Sequence, residues 1–302
     1  MSQTAVITEI ERFALYDGPG IRTAVFLKGC PLHCVWCHNP ECIRPEAQLR
    51  VQCKKCVGCK ACTAVCPQAV HSFSASGEHR VAFSRCVQCG ACTAACPTGA
   101  LSFFGKEMTV EEVMAVVRRD RRYYEKSGGG LTVSGGEPMA RLPFLAALLA
   151  AAKNEGFHTA VETSGFASRQ ALETILPLTD LFLFDFKESD PVLHRQFTGQ
   201  ENGPILDQLS FLVSHGAEII LRCPIIPSCN DREAHFIGIA DLLCRFPAIR
   251  RCECMAYHTL GIAKYREIGE EYTLEAQPLS EKRKEEILKT INARSPVQAI
   301  WG

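Results

Sequence analysis

Short apolar runs alternate with helix-period segments over most of the chain. Thr23–Leu27, Leu131–Ser134, His158–Glu162, Leu181–Phe184, Glu218–Arg222 and Arg251–Ala256 read as six strands. Apolar positions recur at helical spacing over Leu142–Glu155, Ser168–Leu176, Ile205–His215 and Asp231–Phe246, and the charged segment Ser280–Asn292 reads as a last helix. Such alternation predicts an α/β fold whose strands run parallel through right-handed crossovers. Six β/α units are too few for an eightfold barrel, so the expected architecture is a partial (β/α)6 TIM-like barrel. Residues 1–11 alternate apolar and polar positions and lack the apolar core of an export signal. No uninterrupted apolar run approaches the roughly 20 residues of a membrane span.

One stretch breaks the alternation. Of the 18 cysteines in 302 residues, 13 lie between Cys30 and Cys96. Clustered thiols in a long chain without an export signal point to metal centres in a reducing cytoplasm rather than to disulfides. Within residues 49–102 the pattern C-x-x-C-x-x-C-x-x-x-C-P occurs twice, as Cys56–Pro67 and as Cys86–Pro97. The doubled motif predicts a ferredoxin-like insert with two [4Fe–4S] clusters and crossed ligation. Cys56, Cys59, Cys62 and Cys96 would hold one, and Cys86, Cys89, Cys92 and Cys66 the other. Two zinc ribbons are the alternative. A segment of about 50 residues buries too little apolar surface to fold alone, so the clusters would serve as its core. Cys53 is a further thiol that reads as a spare. The expected domains are residues 1–48 with 103–302, and the insert 49–102. Lys plus Arg balance Asp plus Glu at 33 each, which leaves no basic footprint for nucleic acid or an anionic membrane.

A different spacing, C-x-x-x-C-x-x-C, is formed by Cys30, Cys34 and Cys37 just after the first strand. Three thiolates can hold three irons of a [4Fe–4S] cube and leave the fourth open for chemistry, whereas an electron-carrying cluster usually has four protein ligands. Zinc with His33 or His38 as fourth ligand is the alternative. Ligands of parallel α/β sheets bind at the carboxyl ends of strands, which is where this loop falls.

Taken with Ser134-Gly-Gly-Glu-Pro138 after the second strand, the three-cysteine loop resembles the radical S-adenosylmethionine superfamily. Asp17-Gly-Pro-Gly-Ile-Arg22, Trp36-Cys-His38 and Tyr257-His-Thr-Leu-Gly261 narrow the resemblance to glycyl-radical-enzyme activating enzymes. The likeness runs nearly end to end. The insert sets the chain apart from pyruvate formate-lyase activating enzyme, which lacks it. The resemblance implies reductive cleavage of S-adenosylmethionine at the three-cysteine cluster. It also implies hydrogen abstraction by the 5′-deoxyadenosyl radical from a glycine of a partner glycyl radical enzyme. It implies three [4Fe–4S] clusters in all, anaerobic operation, a flavodoxin or ferredoxin electron donor, and a monomer.

By the same resemblance, Trp36, Cys37, His38, Gly135, Gly136, Glu137, Asp185, Phe186, Lys187 and His258 contact S-adenosylmethionine. Glu162, Thr163 and Asp185 match positions that hold a monovalent cation in some relatives, with Glu162 standing where the prototype has Asp. Asp17, Arg22 and Arg222 are expected to face the substrate protein. Read without the resemblance, Gly-Gly-Glu-Pro is a strand-end turn, Asp185 and Lys187 a strand-end ion pair, and Asp-Gly-Pro-Gly a plain turn. Ser127–Gly130 lacks the Gly-Lys-Ser/Thr of a phosphate loop and reads as a turn. Cys42, Cys223, Cys229, Cys244, Cys252 and Cys254 lack ligand spacing and read as small apolar side chains. Two rival functions share these features: a radical enzyme acting directly on a small molecule or peptide, and a ferredoxin-like electron carrier.

Overall fold

A computed structural model describes residues 3–302. In chain order its strands are β1 (Thr4–Ala14), β2 (Arg22–Leu27), β3 (Gln48–Val51), β4 (His71–Phe73), β5 (His79–Val81), β6 (Leu101–Phe104), β7 (Lys106–Thr109), β8 (Gly130–Gly135), β9 (His158–Thr163), β10 (Leu181–Asp185), β11 (Ile219–Ile225), β12 (Arg251–Ala256) and β13 (Ala299–Trp301). Nine of them form one open sheet in the order β13-β12-β11-β10-β9-β8-β2-β1-β7. From β2 through β13 every neighbouring pair is parallel, while β1 pairs antiparallel with both β2 and β7. The fold is therefore mixed α/β around a large parallel sheet. The six expected strands are all present, and β13 extends the parallel run by one.

The parallel strands are apolar along almost their whole length because helices and the sheet interior cover both faces. Helix Leu142–Asn154 illustrates the covering layer: Leu145, Leu148, Leu149 and Ala152 are completely buried at i, i+3, i+4 and i+7. Truncating one of these leucines to Ala would cost about 2–5 kcal/mol. Helix starts carry local signals. Ser168 and Ser280 cap Arg169–Ile175 and Glu281–Asn292, their hydroxyls accepting from the third helical N–H. Asp190 caps Pro191–Thr198, a helix that the periodicity of the chain did not reveal.

The cysteine-dense segment stands on a stem formed by antiparallel β3 and β6, with β4 and β5 as a hairpin beyond it. Two five-residue helices, Ala61–Val65 and Ala91–Ala95, repeat the same local shape after left-handed residues Lys60 and Gly90. Its core is separate from the main one and small: Leu49, Val51, Cys62, Val70, Cys92 and Leu101. Two of those six core side chains are thiols. Among the described residues no helix is long and apolar enough to cross a membrane.

Candidate active site

The carboxyl ends of six adjacent parallel strands open onto one cavity of about 260 Å³. The loop after β2 contributes Cys30, Cys34, Trp36, Cys37 and His38. β8 and its end give Ser134, Gly135 and Gly136, β9 gives Glu162 and Thr163, and β10 leads to Asp185 and Lys187. Arg222 and Pro224 come from β11, and Tyr257 and His258 follow β12.

The cysteine loop is anchored at both ends. Gly29 N donates to Cys42 O (2.8 Å) and Cys30 N to Ile43 O (3.0 Å), closing its neck. Glu137 N donates to Gly29 O (2.7 Å), and Arg141 Nε to Lys28 O (3.0 Å). His33 N and Val35 N donate to Thr198 O and Phe197 O, so the loop leans on the end of helix Pro191–Thr198. From the far end of the chain, Tyr265 donates its hydroxyl to Cys37 O (3.0 Å), and Lys264 pairs with Glu41 (2.5 Å) and Asn39 (2.9 Å). Gly136 has a reason beyond ligand access: a Cβ there would overlap the carbonyl oxygens of Gly29 and Cys42.

Burial pushes the Cys30 thiol up to about 12 and raises Cys34 and Cys37 as well, with Cys34 further disfavouring charge on Cys30 and Cys37. Three such thiols ionise together only if a cationic centre takes them as ligands. Among the described residues, the one group with three donor atoms all within 4.8 Å of one another is Cys62, His71 and His79. Three thiols on one loop at the mouth of the cavity suit three irons of a [4Fe–4S] cube. His33 is exposed and outside the cavity. His38 lies inside it, stacked on His258 at 3.9 Å between ring centroids, and burial lowers it to about 4, so it is neutral.

Opposite the cysteines the cavity is zwitterionic. Arg222 Nη1 donates to Glu162 Oε1 (2.6 Å) and its Nε to Glu253 (3.2 Å), while Ser134 Oγ donates to Glu162 Oε2 (2.5 Å). Burial alone would raise Glu162, but Arg222 and Ser134 hold it below the usual carboxylate range. Burial likewise opposes charge on Lys187, and Asp185 at 2.8 Å outweighs it, raising the ammonium above its ordinary value. The carboxylates expected beside a monovalent cation are thus already paired with side-chain cations.

Three expected contacts fall elsewhere. Arg22 is completely buried and cannot face a partner. Its guanidinium donates to Leu131 O (2.6 Å), Thr132 Oγ1 (2.5 Å) and Pro19 O (3.2 Å). Backbone carbonyls and a threonine hydroxyl can hold a buried arginine that a sequence places next to a glycine-rich turn. Phe186 points away from the cavity into the main core, near the ring of His235. Glu137 spends its carboxylate on Thr163 Oγ1 (2.9 Å), Ser164 N (2.9 Å) and Ser164 Oγ (2.7 Å), bracing the loop after β9 rather than lining the cavity.

Asp17 sits at the opposite end of the strands, since its loop precedes β2. Thr132 Oγ1 donates to Asp17 O (2.6 Å), Arg22 to Pro19 O, and Arg222 to Tyr16 O. Arg222 and Glu162 therefore stand between this loop and the cavity. Burial, followed by the Glu162 charge, lifts Asp17 to about 6. Gly20 and Gly129 permit the close packing of the loop on the turn before β8, which is the role of Ser127–Gly130.

In the insert the thiols group across the repeat. One small cavity is lined by Cys56, Cys59, Cys62 and Cys96, the other by Cys66, Cys86, Cys89 and Cys92. Cys53 is exposed and takes the place that Phe83 has in the second repeat. Sequence reading missed Ser134, Ser164, Tyr257 and Tyr265, whose hydroxyls sit in or brace the site. Ser134 and Tyr257 lay inside the Ser134–Pro138 and Tyr257–Gly261 motifs but were given no role of their own.

A family described as a 4Fe-4S single cluster domain matches residues 16–206. The (2S)-3-sulfopropanediol dehydratase activating enzyme of Klebsiella oxytoca is 40% identical over 279 residues, covering 90% of this chain and 88% of that protein. The trans-4-hydroxy-L-proline dehydratase activating enzyme of Clostridioides difficile is 38% identical over 303 residues, covering 98% and 99%. The choline trimethylamine-lyase activating enzyme of Oleidesulfovibrio alaskensis is 38% identical over 283 residues, covering 92% and 91%. A crystal structure of a domain of pyruvate-formate lyase-activating enzyme from Bacteroides vulgatus shares the fold, with a TM-score of 0.50 at 24% identity over 58% of this chain and 99% of that one. With a cavity of three half-buried thiols at the strand ends and relatives matched nearly end to end, the chain belongs to the glycyl-radical-enzyme activating enzymes of the radical S-adenosylmethionine superfamily.

Proposed function

We propose that Cys30, Cys34 and Cys37 hold a [4Fe–4S] cluster in the strand-end cavity and that S-adenosylmethionine binds beside it. When bound, the cluster supplies the electron that splits the sulfonium C–S bond. The observation that carries this reading is the pairing of three ionisation-resistant thiols with a zwitterionic wall, Asp185–Lys187 and Glu162–Arg222, across one cavity. That wall suits the amino and carboxylate groups of the methionyl portion. Gly135 and Gly136 leave backbone open beside it, and the neutral His38–His258 stack with Trp36 and Tyr257 offers flat surfaces for an adenine. Thr163 completes the wall. The internal pairing of Glu162 and Asp185 fits charge neutralisation by Arg222 and Lys187 in place of a monovalent cation.

The partner glycyl radical enzyme's glycine would have to enter this same cavity for the 5′-deoxyadenosyl group to take its hydrogen, with the Asp17 loop behind the Glu162–Arg222 wall. Arg222 acts there through the Tyr16 carbonyl and Glu162, positioning the loop. Residues 49–102 form the insert domain on the body made by residues 1–48 and 103–302. Its two four-thiol cavities fit two further [4Fe–4S] clusters, whose donor is a flavodoxin or ferredoxin. The enzyme works as a cytoplasmic monomer.

The test mixes reconstituted protein, dithionite, S-adenosylmethionine and a candidate glycyl radical enzyme from the same organism, without oxygen. A glycyl-radical EPR doublet and 5′-deoxyadenosine are expected. Asp17→Ala should keep 5′-deoxyadenosine formation and lose the doublet. A wild-type protein that consumes a small molecule and gives no doublet overturns the reading.

A further inference from the structure

We propose that His71 and His79 form a hydrogen-bonded bridge between the two thiol cavities of the insert, and that His79 sets the reduction potential of the cluster held by Cys56, Cys59, Cys62 and Cys96. The inference rests on the two-cluster reading above. His71, on β4, lines the cavity of Cys66, Cys86, Cys89 and Cys92, and His79, on β5, lines the other. Their rings meet at 3.1 Å, His71 Nδ1 to His79 Nε2. His79 Nδ1 is 3.8 Å from Cys56 Sγ, and its Nε2 is 3.8 Å from Cys62 Sγ. Phe73 stacks flat on the His79 ring, at 4.7 Å and 7°, and fixes its plane.

The protons can be counted. A 3.1 Å contact between two ring nitrogens needs an N–H on one side and a lone pair on the other, so the accepting ring is neutral and carries its one proton on its other nitrogen. If His71 donates from Nδ1 to His79 Nε2, the proton of His79 lies on Nδ1 and points at the Cys56 sulfur. In the reverse arrangement a nitrogen lone pair faces that sulfur, which a thiolate disfavours. The first arrangement also leaves His71 Nε2 as a bare lone pair, and that atom is buried and without a partner. An N–H directed at a ligand sulfur stabilises the extra negative charge of the reduced cluster and raises its potential. His71 is a positioning residue, because it fixes which nitrogen of His79 carries the proton. The repeat has no counterpart for the second cluster, so the two clusters differ in potential by construction.

The experiment is an EPR-monitored redox titration of the full-length protein carrying Cys30→Ala, Cys34→Ala and Cys37→Ala, so that only insert clusters give signals. Adding His79→Phe should leave iron content unchanged. It should lower one of the two potentials by the equivalent of about a tenfold smaller reduction constant, about 59 mV for one electron. His71→Phe should lower the same potential by less, and His79→Gln, which keeps an N–H donor, should restore part of the shift. If His79→Phe loses iron, the His79→Gln and His71→Phe potentials decide. Unchanged potentials with full iron overturn the proposal. So does stoichiometric zinc that disappears with His71→Phe, which would mark Cys62, His71 and His79 as a single-ion site. Absence of insert iron in the parent protein instead refutes the two-cluster reading on which the proposal stands.

Discussion

Glu137 and Ser164 are joined twice, the carboxylate accepting from both the backbone N–H (2.9 Å) and the hydroxyl (2.7 Å) of the serine. The contact ties the turn after β8 to the turn after β9 and is fully buried. Glu137→Ala strands the Ser164 and Thr163 donors and should destabilise the protein by about 2–4 kcal/mol. Glu137→Gln, which keeps an acceptor, should lose roughly half as much. Denaturant unfolding of both variants checks this, and equal losses would show that the acceptor is not what matters.

Cys34→Ala removes a ligand of the proposed catalytic cluster and should abolish 5′-deoxyadenosine formation. Cys89→Ala should reduce insert iron and stability while dithionite still drives some cleavage. Quantifying iron and 5′-deoxyadenosine in both separates the sites. Cleavage retained in Cys34→Ala would remove the basis of the mechanism.

Gly136→Ala forces a methyl group into the carbonyls of Gly29 and Cys42 at the neck of the cysteine loop. Because those atoms are backbone, the loop itself must shift. Iron bound at Cys30, Cys34 and Cys37 should fall severalfold while the insert keeps its own. Gly128→Ala, where a Cβ meets nothing but the residue must keep a positive φ, should lower stability by about 1 kcal/mol and leave iron unchanged.

Lys28 supplies a pH signature. It is fully buried with its ammonium on Glu41 O and Gln48 Oε1, and burial lowers it to about 8. Between pH 8 and about 10.4 the unfolded lysine holds a proton that the folded one has released, so folding gains stability as pH rises through that window. Below pH 8 both states are charged and the desolvation penalty is felt in full. Relative to Lys28→Met, the wild type should therefore gain up to about 1.4 kcal/mol per pH unit above pH 8. Parallel stability curves for the two proteins across pH 8–10 would contradict the assignment.

The parallel sheet could be read from the sequence because each strand is a short apolar run flanked by turn residues and followed by a helical period. The edges could not. β7 is Lys-Glu-Met-Thr and β13 only Ala-Ile-Trp, and neither has a period long enough to detect. Cysteine spacing marked the loops proposed to bind metal because ligand geometry constrains sequence distance. Arg22 and Glu137 were misplaced for the opposite reason. Their partners, Leu131 O on β8 and Ser164 in the turn after β9, are distant in sequence, and no local pattern records that a charged side chain will be buried by them. The pairing of His71 with His79 is invisible for the same cause, since a hairpin register brings the rings together.

The Tyr265 hydroxyl reaches back to the Cys37 carbonyl, and Glu267, in the same short helix, pairs with Arg50 at the stem of the insert (2.7 Å). The loop that is made first is thus finished last. A ribosome must release residue 265 and its helix before the cysteine loop gains its final restraint. Loading of the cluster proposed at Cys30, Cys34 and Cys37 would accordingly follow synthesis of the whole chain, and a truncated product lacking its last 40 or so residues would be a poor acceptor for the cofactor.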